Sequence, residues 1–229
     1  MLLEVIATTV EDAVTAERCG ADRIELITGI SEGGLTPSLG LIEQVRQAVA
    51  IPVRVMVRPH ARSFHYSSED AKTMLRDIRH IASAGSLSLV IGMLRPDRTV
   101  DEELLKRLLS AAQEMEITFH RAFDQTRDQF EALEMLSSYP QVTDILTSGG
   151  ESTAPQGAER IAELQRRCLG KPLSILAGSG LSTANLSSFL QQTAVTRVHL
   201  GSAVRVNGNP LLQIDPQRLV AVRTILDQR

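Results

Sequence analysis

The sequence predicts one (β/α)8 barrel, an α/β fold spanning residues 1–229 as a single domain. Three observations carry that expectation. Short apolar runs alternate with longer amphipathic ones along the whole chain, which implies a parallel sheet with crossover helices. The alternation repeats eight times, which suits closure better than an open sheet. The length, 229 residues, is close to the roughly 250 typical of one such barrel.

The units follow in order. A strand over 2–7 leads to a helix over 10–19 that stops at Gly20, a residue suited to the left-handed turn after a helix. A second strand covers 23–27, and a Gly-rich loop covers 28–37. The next helix starts near Ser38, with Leu41, Ile42, Val45 and Val49 at helical spacing. Strand three covers 52–58, and a loop over 59–68 leads to a helix over 69–84. Strand four covers 87–94. The helix over 101–114 puts Leu104, Leu105, Leu108 and Leu109 on one face. Strand five covers 117–123, and a helix covers 128–138. Strand six covers 143–148, with a helix over 155–169. Strand seven covers 173–177, before a helix over 182–192 capped by Ser182. Strand eight covers 197–200. A last helix runs over 216–227, with Pro216 in its first turn, where proline is tolerated. The stretch 206–216, with Asn207-Gly208-Asn209-Pro210, reads as a loop.

Composition excludes several classes. Net charge is −3, from 24 basic and 27 acidic residues, so no basic surface for nucleic acid or membrane is expected. Aromatics are 3% of the chain and tryptophan is absent, which leaves no platform for stacking bases. The two cysteines, Cys19 and Cys168, have no metal-binding spacing and read as reduced thiols. The N-terminus lacks the basic and apolar regions of a signal peptide, and no apolar run reaches a membrane span of ~20 residues. A cytoplasmic protein is expected.

In this fold, chemistry gathers at the C-terminal ends of the strands. Alternation places Glu4 with Ile6, Glu25 with Ile27, and Arg54 with Met56 and Arg58, each set on one strand face. Thr118 and His120, followed by Asp124, extend the set from strand five. If these faces point inward, Glu4 and Glu25 meet Arg54 and Arg58, since a buried carboxylate requires a partner. Two readings follow: a structural ion network, or a polar pocket in which Glu4, Glu25, Arg58, His120 and Asp124 act on a ligand by acid–base chemistry. Glycine-rich turns follow the last three strands: Ser148 and Gly149, then Gly178, Ser179 and Gly180, then Gly201 and Ser202. They serve either as tight turns or as a cradle for phosphate or another small anion, because loops seven and eight are the usual phosphate position. No metal ligand set is expected from these residues.

Several segments identify the chain as similar to CutC proteins. They are Glu32-Gly33-Gly34-Leu35-Thr36-Pro37-Ser38-Leu39-Gly40, Phe119-His120-Arg121-Ala122-Phe123-Asp124 and Leu146-Thr147-Ser148-Gly149-Gly150. Gly20-Ala21-Asp22-Arg23-Ile24-Glu25-Leu26, Arg58-Pro59 and Tyr66-Ser67 add to them, and the resemblance runs from Leu3 to about Ala203. It implies a cytoplasmic (β/α)8 barrel, a homo-oligomer, and a role in copper homeostasis with Cu(I) binding proposed in some members. The cofactor is otherwise unknown; copper enters by resemblance alone. The proposed Cu(I) ligands of relatives are cysteines, and this chain has Ile6 and Ile27 at those positions. An isoleucine offers no soft donor to Cu(I). The relatives' Arg-Pro-Arg-Gly-Gly-Asp-Phe stretch reads Arg58-Pro59-His60-Ala61-Arg62-Ser63-Phe64 here, and strand eight ends on His199-Leu200-Gly201-Ser202-Ala203, one residue longer. Three functions are therefore carried forward: copper homeostasis, an enzyme acting on a small anionic or phosphorylated metabolite, and a non-catalytic small-molecule binding protein.

Overall fold

Alternating apolar and polar residues along the strands produce a barrel with two interiors. The computed structural model describes residues 1–85 and 87–228. Its strands are all parallel and close in sequential order, with β1 pairing both β2 and β8. They are β1 (Leu2–Ala7), β2 (Arg23–Leu26), β3 (Val53–Met56), β4 (Ser88–Ile91), β5 (Ile117–Phe119), β6 (Val142–Thr147), β7 (Ser174–Gly178) and β8 (Arg197–Leu200). The helices that follow them are α1 (Val10–Arg18), α2 (Leu39–Ala48), α3 (Ser68–Ser83), α4 (Glu102–Ala112), α5 (Gln129–Leu136), α6 (Ala158–Arg167), α7 (Leu186–Thr193) and α8 (Pro216–Asp227).

One parity of each strand faces the helices. Leu3, Val5, Ile24, Leu26, Val55, Leu89, Phe119, Ile145, Ile175 and Val198 are fully buried. They join Met74 of α3, Leu105 of α4, Leu133 of α5, Ile161 of α6 and Leu219 of α8 in one continuous core. Each such side chain contributes about 1.5–3 kcal/mol of burial. Side-chain caps start α1 and α3: Thr9 accepts from the Asp12 N–H at 3.0 Å, and Ser67 with Asp70 forms a reciprocal capping box on α3.

The other parity faces the barrel axis and is charged where barrels of this kind usually hold branched aliphatics. Register explains the pairing. Glu4 lies opposite Arg23 on one side and His199 on the other. Arg23 bonds Glu4 and also reaches Asp144 at 3.1 Å. Asp144, fully buried, receives Arg54 at 2.9 Å and Arg197 at 2.7 Å as well. Arg54 continues to Glu116 at 2.8 Å and to the hydroxyls of Thr118 and Thr143. Above this layer sits a small apolar cluster of Ile27, Met56 and Val90, with Ile6 and Ile30 against it.

The expected partners of the carboxylates are thereby corrected. Arg54 and Arg58 do not pair with Glu4 and Glu25; Arg23, directly opposite Glu4 in the register, takes that place for Glu4. Arg54 turns toward β5 and β6, and Arg58 lies beyond the end of β3. Strand ends also differ. β5 stops at Phe119 because the His120 ring caps a 3-10 turn, Arg121–Gln125, by accepting the Ala122 N–H at 3.1 Å. α7 starts at Leu186, so Ser182 is not its cap. The Ser182 N–H instead donates to Asn185 Oδ1 at 2.9 Å, in a turn that delays the helix.

Removing one member of a buried ion network strands the charges left behind. Asp144→Ala leaves three guanidiniums without their shared anion and should lower stability by roughly 3–5 kcal/mol. A urea melt checks this, with a lower midpoint and an unchanged slope. A loss within about 1 kcal/mol would show that Asp144 is not the hub of the layer.

Candidate functional site

The barrel opens above the charged layer into a cavity of about 850 Å3, at the strand ends that carry ligands in this fold. Glu25, Arg58, His120, Asp124, Ser179, Gly180, Gly201 and Ser202 line it, so the topology brings together most of the residues singled out from sequence. Glu4, Ser148, Gly149 and Gly178 do not line it.

The floor is a chain of three titratable groups. His199 Nδ1 meets Glu4 Oε1 at 2.8 Å, and His199 Nε2 faces Glu25 Oε2 at 3.7 Å. Burial would raise Glu4, but the Arg23 guanidinium and the His199 contact outweigh it and hold Glu4 down at about 2. Burial pushes Glu25 up to about 7, against the pull of His199 and with the help of the nearby Glu4 charge. His199 is raised despite burial, because both carboxylates face it. Glu25 Oε1 is buried with no hydrogen-bond partner. Sequence reading missed His199, Arg23 and Asp144 as members of this set. Parity was the available signal, since Arg23 shares a face with Glu25, and His199 with Arg197.

His120 sits on the wall across the sheet from β1. It is 3% exposed and packs against Phe64 with the two rings tilted by 46° and their centroids 4.9 Å apart. Burial first, and then the Arg58 charge, pull it down to about 3, so the ring is neutral at physiological pH. The Ala122 N–H occupies Nδ1, which puts the ring proton on Nε2, and Nε2 has no partner. Gly92, just past β4, makes room for the ring: a Cβ there would lie 2.4 Å from His120 Cε1 and Nδ1.

Arg58 and Asp124 have tasks of their own. Arg58 Nη1 donates to the carbonyls of Glu32 at 2.9 Å and Gly34 at 3.1 Å, pinning the loop after β2. Asp124 accepts from the Ser148 N–H at 3.1 Å, the Gly150 N–H at 3.1 Å, Ser148 Oγ at 2.9 Å and Arg121 Nε at 2.8 Å. The turn after β6 thus already cradles an anion, the Asp124 carboxylate. The Gly149 N–H donates to Thr147 Oγ1 at 2.9 Å. Ser179 and Gly180 both have left-handed backbones, and Ser179 Oγ donates to the Ser152 carbonyl at 2.9 Å, joining the loops after β6 and β7.

Donors for a metal are few. Among the described residues, Glu4, Glu25 and His199 have ligand atoms close enough to share a cation. Glu4 is committed to Arg23 and to His199 Nδ1, which leaves one carboxylate and one imidazole where open metal sites keep three protein ligands. The soft donors lie elsewhere. Cys19 and Cys168 end α1 and α6 in the outer layer, and burial raises both thiols, Cys168 to about 11. Met56 is in the barrel interior but Met93 is in the outer core. Of the two loop histidines, His60 Nε2 faces Asp70 at 3.4 Å and His65 Nδ1 faces the Leu94 carbonyl at 3.3 Å.

A closed parallel barrel with a polar cavity at its strand ends defines the class as a (β/α)8 pocket protein. The CutC family model matches residues 1–204, and the chain belongs to the CutC family. It is 41% identical over 198 residues to the human copper homeostasis protein cutC homolog, covering 86% of this chain and 72% of that protein. A CutC family protein from Treponema denticola is 40% identical over 203 residues, covering 89% and 82%. The crystal structure of CutC from Streptococcus agalactiae superposes with a TM-score of 0.82 at 29% identity, covering 87% of this chain and 97% of that one. Phosphoribosylanthranilate isomerase from Thermotoga maritima, at 13% identity, a TM-score of 0.65 and full coverage of both chains, shares the fold. Among the described residues no helix is long and apolar enough to cross a membrane.

The proton states make the site's stability depend on pH with opposite signs. His120 falls from 6.5 to about 3 on folding, so the unfolded chain binds more protons between those values. Its contribution is complete above 6.5 and is lost as pH falls toward 3. Glu25 rises from 4.5 to about 7, and its contribution is lost as pH rises through that range. His120→Gln should therefore flatten the acid limb of a stability–pH curve, removing roughly 3–5 kcal/mol of pH dependence at about 1.4 kcal/mol per unit. Parallel melts from pH 7 to 4 test this. Equal slopes for both proteins would contradict a neutral, buried His120.

Proposed function

We propose that this chain serves the copper-homeostasis role stated in its relatives' names, in the cytoplasm and as a homo-oligomer. In this reading it works through a small anionic ligand held in the strand-end cavity, with no Cu(I) held by thiolates. One observation carries the reading: the cavity is built from carboxylates, imidazoles and guanidiniums, while both thiols lie outside it. Cu(I) prefers thiolate or thioether donors. The cavity wall offers Ile6 and Ile27 where such donors would be needed, with Met56 the one soft side chain beside them. The cysteines also lack the depressed thiol values that favour metal capture.

The cavity suits an anion. Arg121 lines it with its side chain 41% exposed, its Nε paired with Asp124 at 2.8 Å and its Nη2 donating to Ser148 Oγ at 2.8 Å. Arg58 past β3 and the His199 imidazole on the floor add positive charge to the lining, which also carries Glu32 and Glu151. The loops carrying Ser179, Gly180, Gly201 and Ser202 supply backbone close to the opening. The free thiols agree with a reducing compartment.

Anaerobic titration of the purified protein with Cu(I) against a competing chelator tests the metal half of this reading. No stoichiometric retention of Cu(I) is expected, and the Cys19→Ser, Cys168→Ser double variant should behave like the unmodified protein. Tight binding at one Cu(I) per chain would contradict it. Loss of that binding in the double variant would assign it to the thiols.

A further inference from the structure

Among the described residues that line the cavity, Glu25, His120 and Arg58 each have a buried polar atom with no partner within the protein, and those of Glu25 and His120 are of complementary kinds. Glu25 Oε1 is an acceptor on β2. His120 Nε2, just past β5, carries a proton and has nothing to donate it to. Burying either without a partner costs its desolvation, so a ligand that satisfies both recovers that cost. Neither is a by-product of the structural network: Asp144, Glu4 and Asp124 are fully engaged, while these two face the cavity.

Deepening the pocket reading and resting on it, we propose that the cavity is an enolising active site. Its substrate is a small carbonyl compound that bears an anionic group, with Glu25 as the base and His120 as the donor to the carbonyl oxygen. The Glu25 carboxylate takes a proton from the carbon next to the carbonyl. The C–H electron pair becomes the new C=C bond, and the carbonyl π pair moves onto oxygen. The His120 Nε2–H donates a hydrogen bond to that oxygen as its charge develops. The reverse step returns a proton from Glu25 to the same carbon, so no oxidant, reductant or further reactant is needed. Arg121 meets the anionic group.

Three features of the site fit this chemistry. A base works best when its proton affinity lies near the operating pH, and Glu25 is raised to about 7 by burial. A neutral imidazole stabilises an enolate-like oxygen without first binding the proton it would need to lose, the division of labour seen where a Glu base and a neutral His share a site. His199 is a positioning residue: held through Nδ1 by Glu4, it fixes a cation beside Glu25 Oε2. The charged groups facing Glu25 are Glu4 on β1, Arg23 on β2, Arg54 on β3 and His199 on β8.

Deuterium exchange tests the proposal without knowledge of the natural substrate. The full chain is incubated in D2O with dihydroxyacetone phosphate and, separately, with pyruvate, and proton NMR follows loss of the signal next to the carbonyl. Exchange above the buffer rate is expected with at least one probe. Glu25→Gln should lower it by about 100-fold or more, and His120→Gln by roughly 100- to 1,000-fold. Glu25→Asp, which keeps the base, should retain part of it. His199→Gln should keep exchange but move its pH profile upward, since the cation that draws Glu25 down is gone. Equal exchange in buffer and protein for both probes would overturn the proposal, as would a Glu25→Gln variant as fast as the parent. Chemical-shift perturbation by inorganic phosphate separates the two readings. Phosphate binding without exchange sinks the enolising site and leaves the anion pocket standing, whereas exchange-free protein that also ignores phosphate sinks both.

Discussion

The barrel depends on charge held inside it. Asp144 gathers Arg23, Arg54 and Arg197, and Glu4 gathers Arg23 and His199, at the level where other barrels of this fold pack branched aliphatic side chains. Such a layer costs desolvation, and the geometry must be good for attraction to offset it. Here one guanidinium, Arg23, bridges both carboxylates, so the two halves of the layer cannot move independently. The outer apolar core holds the helices on; the inner layer sets which way the remaining polar side chains point.

The cavity inherits its properties from that floor. Glu4 is ionised because Arg23 and His199 surround it, and its charge in turn lifts both Glu25 and His199. The small apolar cluster of Ile27, Met56 and Val90 separates the charged layer from solvent on the β2–β4 side, which keeps Glu25 buried. Loop anchors complete the frame. Asp124 ties the turn after β6 to the 3-10 turn after β5. Arg205 joins the loop after β8 to Asp12 at 2.9 Å and to the Ile6 carbonyl at 3.1 Å. Asp12 therefore serves the rim of the cavity from the first turn of α1.

The barrel was legible because its pattern is strong: each apolar parity of β1, β2 and β3 shows up as period two, and α3 and α4 as clean amphipathic helices. Membership of the cavity was legible for Glu25, Arg58, His120 and Asp124, since each sits at or past a strand end. Pairing was not. Which arginine meets Glu4 depends on barrel register, and Arg23 wins by lying in the facing position. His199 is 195 residues from Glu4 in sequence, and only closure of β8 on β1 brings them together. The early end of β5 was hidden for a similar reason. His120 reads as one more strand residue, yet its ring turns back to cap the backbone at Ala122. Ser148 and Gly149 resemble an anion cradle in sequence, and the fold fills that cradle with Asp124.

The proton states of the two cavity histidines link the charged floor to every chemical property assigned to the site. Nitrogen-15 NMR of the imidazole rings across pH 5–8 measures them directly. The structure requires His120 to stay neutral throughout with its proton on Nε2, and His199 to hold its second proton above the ordinary histidine range. A His120 that titrates near 6.5, or carries its proton on Nδ1, would contradict the account.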